Sequence, residues 1–155
     1  MNGIEFSLVS EIAEIENDFR KLHIYIPNIS KKILKKITSK QKSKLRTAYR
    51  QSGLKTTSNE LYKSIYGTAK NNFTGYAGIA SKQAYKFIPL NYGMEIRAKD
   101  KYLTFQVNGE WVKVRSVHIP ARHFFEEGTR YMGSQEMNRD VETILKREVE
   151  KALKV

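Results

Sequence analysis

The chain has 155 residues, of which 40% are hydrophobic and 11% aromatic, and this length supports one packed domain rather than two. It contains no cysteine, which excludes disulfide bonds, cysteine-based zinc sites and thiol nucleophiles. No apolar run approaches the roughly 20 residues of a membrane-spanning helix, and the N-terminus lacks the basic and apolar regions of a secretory signal. We therefore expect a soluble protein with a single domain over residues 1–155.

The formal net charge of +12 is concentrated in one part of the chain. Residues 1–22 contain five acidic and two basic side chains, whereas residues 23–55 contain ten lysines and arginines and no acidic residue. A block of this kind is usually a solvated helix face and sometimes a surface that meets a polyanion. Its lysines are not interleaved with aromatic residues, so we do not expect nucleic-acid bases to stack there.

The N-terminal third predicts one strand and two helices. Residues 4–8 alternate between apolar and polar side chains, which indicates a half-buried strand. Apolar residues spaced by three and four from 12 to 22 indicate a short amphipathic helix that ends before the segment IYIPN. A longer basic helix is expected from Ser30 to Gly53, which is a natural C-terminal stop.

The middle of the chain, from about residue 62 to 118, predicts a sheet. The segments IYGTAK, FTGYAGIA and YKFIPL are short, aromatic and β-branched, and asparagine and glycine residues separate them. The strongest local signal is YLTFQVNGEWVKVRSV, where two alternating runs flank Asn108-Gly109, a pair that favours a two-residue type I′ hairpin. Trp111 lies on its second strand. The apolar residues that share one face of its first strand are Leu103, Phe105 and Val107.

The last segment, roughly residues 134–154, predicts a helix with an apolar stripe and with Ser134 as its N-cap. Together these elements predict an α+β fold in one domain. In this fold an antiparallel sheet with a central hairpin packs against the long basic N-terminal helix and the C-terminal helix.

Residues suited to catalysis or metal binding are sparse. His23, His118 and His123 do not have the spacing of a metal site. The sequence has no Gly-x-Ser-x-Gly elbow and no phosphate-binding glycine loop. Glu95 and Asp100 lack the further carboxylates of a two-metal nuclease. We expect no enzyme, cofactor or metal, and a small hydrolase or nuclease stays an alternative because dispersed catalytic groups can converge in space.

Three short motifs follow one another between the basic helix and the C-terminal helix. They are Ser58, Leu61, Ser64 and Ile65; then Ala84, Tyr85, Tyr92 and Gly93; and last Ile119, Pro120, Ala121, Arg122, His123 and Phe124. In this order, over about residues 30–155, the chain resembles the tail-completion or neck (head–tail joining) proteins of long-tailed phages, and the related virion-morphogenesis and minor tail proteins. The family often has proline at the position of His123.

The resemblance implies a structural protein of a phage or phage-tail-like particle. Such a subunit forms a ring, commonly a hexamer, at the head–tail or tail-tube junction. The implied partners are copies of itself and the neighbouring tail-tube, tail-terminator or connector proteins, with transient contact to DNA and none to a membrane. The chain would be made in the bacterial cytoplasm and end in the tail or neck of the particle.

Two sets of residues are candidate sites. The predicted interface between copies consists of Asn108, Gly109, Trp111, Arg122, His123, Phe124 and Phe125, because aromatic and arginine side chains anchor interfaces. The alternative for the two phenylalanines is the core of the domain. The predicted DNA-facing or lumen-facing residues are Lys31, Lys32, Lys35, Lys36, Lys40, Lys42 and Lys44, which could instead face solvent or an acidic neighbour. The alternative function is a sequence-nonspecific nucleic-acid-binding protein.

Overall fold

The computed structural model describes residues 4–54 and 59–153, without the side chains of residues 4–16, 19, 21 and 22. In chain order the elements are α1 (Ile4–Gln51), α2 (Glu60–Lys63), β1 (Ile65–Ala69), β2 (Gly75–Ile79), α3 (Ala84–Tyr92), β3 (Met94–Arg97), β4 (Leu103–Val107), β5 (Glu110–Val114), β6 (Ser116–Ile119), α4 (Phe124–Thr129) and α5 (Gln135–Leu153). The α+β fold with a long N-terminal helix and a C-terminal helix is confirmed. The assignment of all 155 residues to a domain of tail-completion type stays a prediction.

Residues Ile4–Gln51 form one continuous helix, so the strand predicted at residues 4–8 and the break predicted at IYIPN are both wrong. The break was expected because a proline inside a helix removes one backbone donor and crowds the carbonyl four residues earlier. Pro27 nevertheless lies within α1. The apolar spacing of three and four residues continues across it, through Ile26, Ile29 and Ile33, so one helix keeps one apolar face.

The segment YKFIPL is also helical, as part of α3, and its predicted strand is wrong. The helical spacing brings Phe87 and Leu90 against the core, while Tyr85 is 68% exposed. This burial of one helix face outweighs the local β-propensity of the aromatic and β-branched residues.

The strands form three separate antiparallel pairs, β1 with β2, β3 with β6, and β4 with β5. The predicted hairpin is confirmed, since β4 and β5 flank Asn108 at φ 52° and Gly109 at φ 90°. Positive φ at both turn residues is the geometry of a type I′ turn, which glycine and asparagine adopt most readily. In sequence the hairpin lies between β3 and β6, whose register runs from Met94 opposite Ile119 to Arg97 opposite Ser116.

The residues group into two compact units. The first comprises the described parts of Met1–Lys42, Gly67–Ala77 and Tyr131–Val155. Here α1 and α5 run antiparallel, because Lys32 pairs with Glu148 at 2.6 Å and Lys40 pairs with Asp140 at 2.6 Å. Ser134 caps α5 by accepting a hydrogen bond from the Met137 N–H at 3.2 Å, as predicted.

The second unit comprises Ser43–Tyr66 and Gly78–Arg130. Its core is a cluster of buried residues from α1, α2, β1 and α4, namely Leu45, Ala48, Tyr49, Leu61, Ile65 and Phe124. The Phe124 ring meets Tyr49 edge-on at 5.3 Å between centroids, and Phe87 at 5.9 Å. Gly128 allows close helix packing, because a Cβ there would lie 2.8 Å from the Leu45 Cα.

Replacing Phe124 with alanine should lower the free energy of unfolding by about 3–5 kcal/mol, because the change removes a fully buried ring and leaves a cavity. The matched control is Trp111→Ala, which removes an aromatic ring that is 69% exposed and should change stability by about 0.5 kcal/mol or less. Urea unfolding of both variants measures the difference. Equal stability of the two variants would contradict the placement of Phe124 in the core.

Candidate functional site

The corner between β6 and α4 is fastened by Asn91, a fully buried residue near the end of α3. The Asn91 backbone carbonyl accepts hydrogen bonds from the N–H groups of Arg122 at 3.1 Å and His123 at 3.0 Å. Its side-chain oxygen accepts one from the Phe125 N–H at 2.9 Å, and its amide nitrogen donates to the Glu126 carboxylate at 2.9 and 3.0 Å. Every polar group of this buried side chain therefore has a partner, as burial requires.

The second and third sequence motifs meet at this corner. Gly93, which follows α3 at φ +78°, lies so close to the strand end that an added Cβ would be 3.0 Å from the Ala121 nitrogen and 3.1 Å from the Ile119 carbonyl oxygen. Two residues of the first motif, Leu61 and Ile65, lie in the same buried cluster as Phe124. Ser58 lies outside the described residues.

The predicted interface at the corner needs correction. Phe124 is only 1% exposed and belongs to the core, so it cannot anchor a neighbouring copy. Phe125 is half-buried and packs against the same cluster. Arg122 and His123 are exposed. The alternative interpretation of the sequence, in which the two phenylalanines belong to the core at a strand-to-helix corner, agrees with this site.

The hairpin residues lie at the surface, as an interface would require. Asn108 and Gly109 form the exposed turn, and Trp111 on β5 is 69% exposed. The register pairs Gln106 with Trp111 and Thr104 with Lys113, so these four side chains share one face of the ribbon. The role of the hairpin as an interface stays a prediction.

The predicted lysine surface is divided by ion pairs within the chain. Lys32 and Lys40 point at acidic residues of α5, so for these two the acidic neighbour is the chain itself. Lys31 and Lys35 are exposed, and neither forms an ion pair with another described residue. The other members of the set are Lys36, which is exposed, and Lys42 and Lys44, which are half-buried.

The ion pairs between α1 and α5 shift the titration of the groups involved. Hydrogen bonds from Lys40 and then from the Tyr131 hydroxyl hold the pKa of Asp140 below its ordinary value. A hydrogen bond from Lys32 lowers the pKa of Glu148, against the opposing effect of burial. Burial and the bond to Asp140 raise the pKa of Tyr131. These ion pairs and hydrogen bonds hold α1 and α5 together.

Among the side chains that the structure describes, no three from histidine, aspartate or glutamate lie close enough together to hold a metal ion. None of the helices in residues 4–54 and 59–153 combines the length and apolar character needed to cross a bilayer. No protein-family model, curated protein or solved structure matches the chain.

Asn91 and the acidic residues of α5 that pair with the lysines were not predicted from the sequence. No local pattern distinguishes Asn91, because its partners follow more than 30 residues later. The sequence does carry a signal for the hairpin. Side chains alternate between two faces on either side of the Asn108-Gly109 turn, and this alternation determines which of them share a face with Trp111.

Asn91→Asp should destabilise the chain by about 2–3 kcal/mol at pH 7, because a carboxylate would replace the amide that donates to Glu126. This loss of stability should be smaller in acid, because a protonated carboxyl group can again donate a hydrogen bond to Glu126. Asn138→Asp, an exposed change on α5, serves as the control. Urea unfolding at pH 7 and pH 4 tests this, and a variant as stable as the control at pH 7 would contradict it.

Glu148→Gln should weaken the dependence of stability on pH. A carboxyl whose pKa is lowered by folding contributes stability above its unfolded value, 4.5 for glutamate, and this contribution is lost as the pH falls through the folded pKa. The free energy of unfolding of the native chain should therefore fall below about pH 4.5, and fall less steeply in the variant. The control is Glu142→Gln, an exposed position on the same helix. Identical pH profiles for the native chain and Glu148→Gln would refute this role.

Proposed function

We propose that the chain is a structural subunit of a phage or phage-tail-like particle. It acts at the head–tail or tail-tube junction by assembling with copies of itself into a ring, and not by catalysis. Tail-tube, tail-terminator or connector proteins are its neighbours in the particle.

The three motifs and their spatial relation support the family assignment. The residues around Gly93 and those from Ile119 to Phe124 are far apart in sequence but in contact, with Asn91 joining them. The second and third motifs therefore form one structural unit of this fold.

The observation that supports assembly is the surface of α1 beyond the end of α5. The pairs Lys32–Glu148 and Lys40–Asp140 are separated by eight residues on each helix, which sets the antiparallel alignment. By this alignment Pro27 lies level with Leu153, the last described residue of α5. The part of α1 that precedes Pro27 therefore extends past the described end of its partner helix.

Apolar side chains are exposed at this level of α1. Ile24 is 70% exposed, Tyr25 38% and Ile26 49%, whereas Ile29, one turn later, is 6% exposed. Successive helical residues point about 100° apart, so the three exposed side chains cover most of the circumference. A neighbouring copy packed here would bury them, and a ring needs such an interface between two different faces of the subunit.

Within such a ring, Lys31 and Lys35 supply positive charge at exposed positions on α1. If they line the lumen they attract DNA without regard to sequence, and the attraction weakens as the salt concentration rises.

Ile24→Asp combined with Ile26→Asp should raise the concentration at which the oligomer half-assembles by about 30-fold or more, the effect of losing one strong interface contact. The control is Ser39→Asp combined with Ser43→Asp, which adds the same charge at exposed polar positions of the same helix, three or more turns away from Ile26. Light scattering measures particle mass, and electron microscopy shows whether the native chain forms closed rings. A native chain that stays monomeric at every concentration, or an unaffected double variant, would refute the proposed assembly.

A further inference from the structure

We propose that the face of the β4–β5 hairpin that carries Trp111 binds single-stranded nucleic acid. Bases stack on Trp111 and Tyr102, and phosphates pair with Lys113 and Arg115. This binding site goes beyond the proposed function and does not depend on it.

The hairpin register places these groups on one surface. Trp111 pairs with Gln106 and Lys113 pairs with Thr104, so all four side chains stand on the same side of the ribbon. Tyr102 precedes β4 and continues this row, because it lines one hollow with Thr104 and Lys113 and an adjoining hollow with Arg115. Both hollows are shallow and open to solvent, so a chain can lie across them.

Two aromatic rings on this face are available for stacking. Trp111 is 69% exposed and Tyr102 is 53% exposed. Four residue positions along the ribbon separate them, a distance of about 14 Å at the rise of an antiparallel strand. The rings would therefore engage different bases of one strand. Every base offers a flat face, so such stacking tolerates any sequence.

The charge around Tyr102 complements a phosphate backbone. The cations that line the two hollows are Arg97, Lys99, Lys101, Lys113 and Arg115, against the acids Glu95 and Asp100. Arg97 is paired with Glu95 at 2.9 Å. The other four cations form no ion pair with any described residue, so a phosphate meets them without displacing an internal partner.

The side chains of this face favour a single nucleic-acid strand over a duplex or another protein. A duplex keeps its bases stacked inside and cannot offer them to Trp111 and Tyr102, whereas unpaired bases can stack. The centre of a protein interface is depleted of charged residues. Here Lys113 lies two residues from Trp111 on the same face, and the β4 residues opposite the two are the polar Thr104 and Gln106.

The test measures the binding of the full chain to a fluorescently labelled 15-nucleotide oligothymidylate by anisotropy at low salt. The native chain should bind, and the oligonucleotide should change the fluorescence of Trp111, which is the only tryptophan in the sequence. An unlabelled duplex of the same length should leave this fluorescence unchanged. Removing each ring, by Trp111→Ala or Tyr102→Ala, should weaken binding about tenfold.

Four further variants separate stacking and charge from general damage. Tyr85→Ala removes a ring that is 68% exposed on α3 and should leave binding unchanged, while Trp111→Phe should retain most of it. Lys113→Gln and Arg115→Gln should each reduce the slope of log affinity against log salt by about 0.7, the value for one phosphate contact with a single strand.

Three outcomes would overturn the proposal. The native chain could fail to bind the oligonucleotide at low salt. Binding could survive the loss of both rings, which would assign it to another basic surface such as Lys31 and Lys35. Trp111→Ala could instead abolish assembly and leave oligonucleotide binding intact, which would make this face a protein interface. If the variant with Ile24→Asp and Ile26→Asp lost assembly but still bound the oligonucleotide, the proposed assembly surface and the nucleic-acid site would be shown to be independent.

Discussion

The second unit depends on a single buried amide. Asn91 satisfies the backbone donors of Arg122 and His123 and holds Phe125 and Glu126 with its side chain. This contact fixes where β6 ends and α4 begins, and so directs Phe124 into the core. The pairing of β3 with β6 follows from the same corner, and the Ala98 N–H extends it by donating to the Arg115 carbonyl at 2.9 Å. The base of the β4–β5 hairpin is thus held by a polar contact near the end of α3.

The two proposed functions use surfaces that differ in character. The exposed part of α1 presents Ile24, Tyr25 and Ile26, an apolar surface whose burial by another copy is favourable. The hairpin face presents isolated rings among cations, which suits a charged, flexible polymer better than a dry protein interface. Each function is tested by its own variants.

The structure also shows which of the positive charges in the basic segment are paired. The block of lysines and arginines in residues 23–55 indicated either a solvated helix face or a surface that meets a polyanion. In the fold, Lys32 and Lys40 instead pair with Glu148 and Asp140, so part of the block stabilises helix packing. Unpaired cations beside aromatic rings occur at the hairpin, in a segment of modest charge. Net charge along the sequence therefore does not show which cations are free to meet a ligand, because pairing between distant residues decides which charges stay available.

The sequence by itself determined the elements whose signals are local. Asn108-Gly109 fixed the hairpin through its φ preferences, and the apolar stripe and Ser134 cap fixed α5. Only the tertiary structure decided that YKFIPL is a helix, that α1 passes through Pro27, and that Phe124 is buried. In these segments local preference and burial compete. Burial depends on partners distant in sequence, such as Asn91 for the corner and Tyr49 for Phe124, which no local pattern identifies.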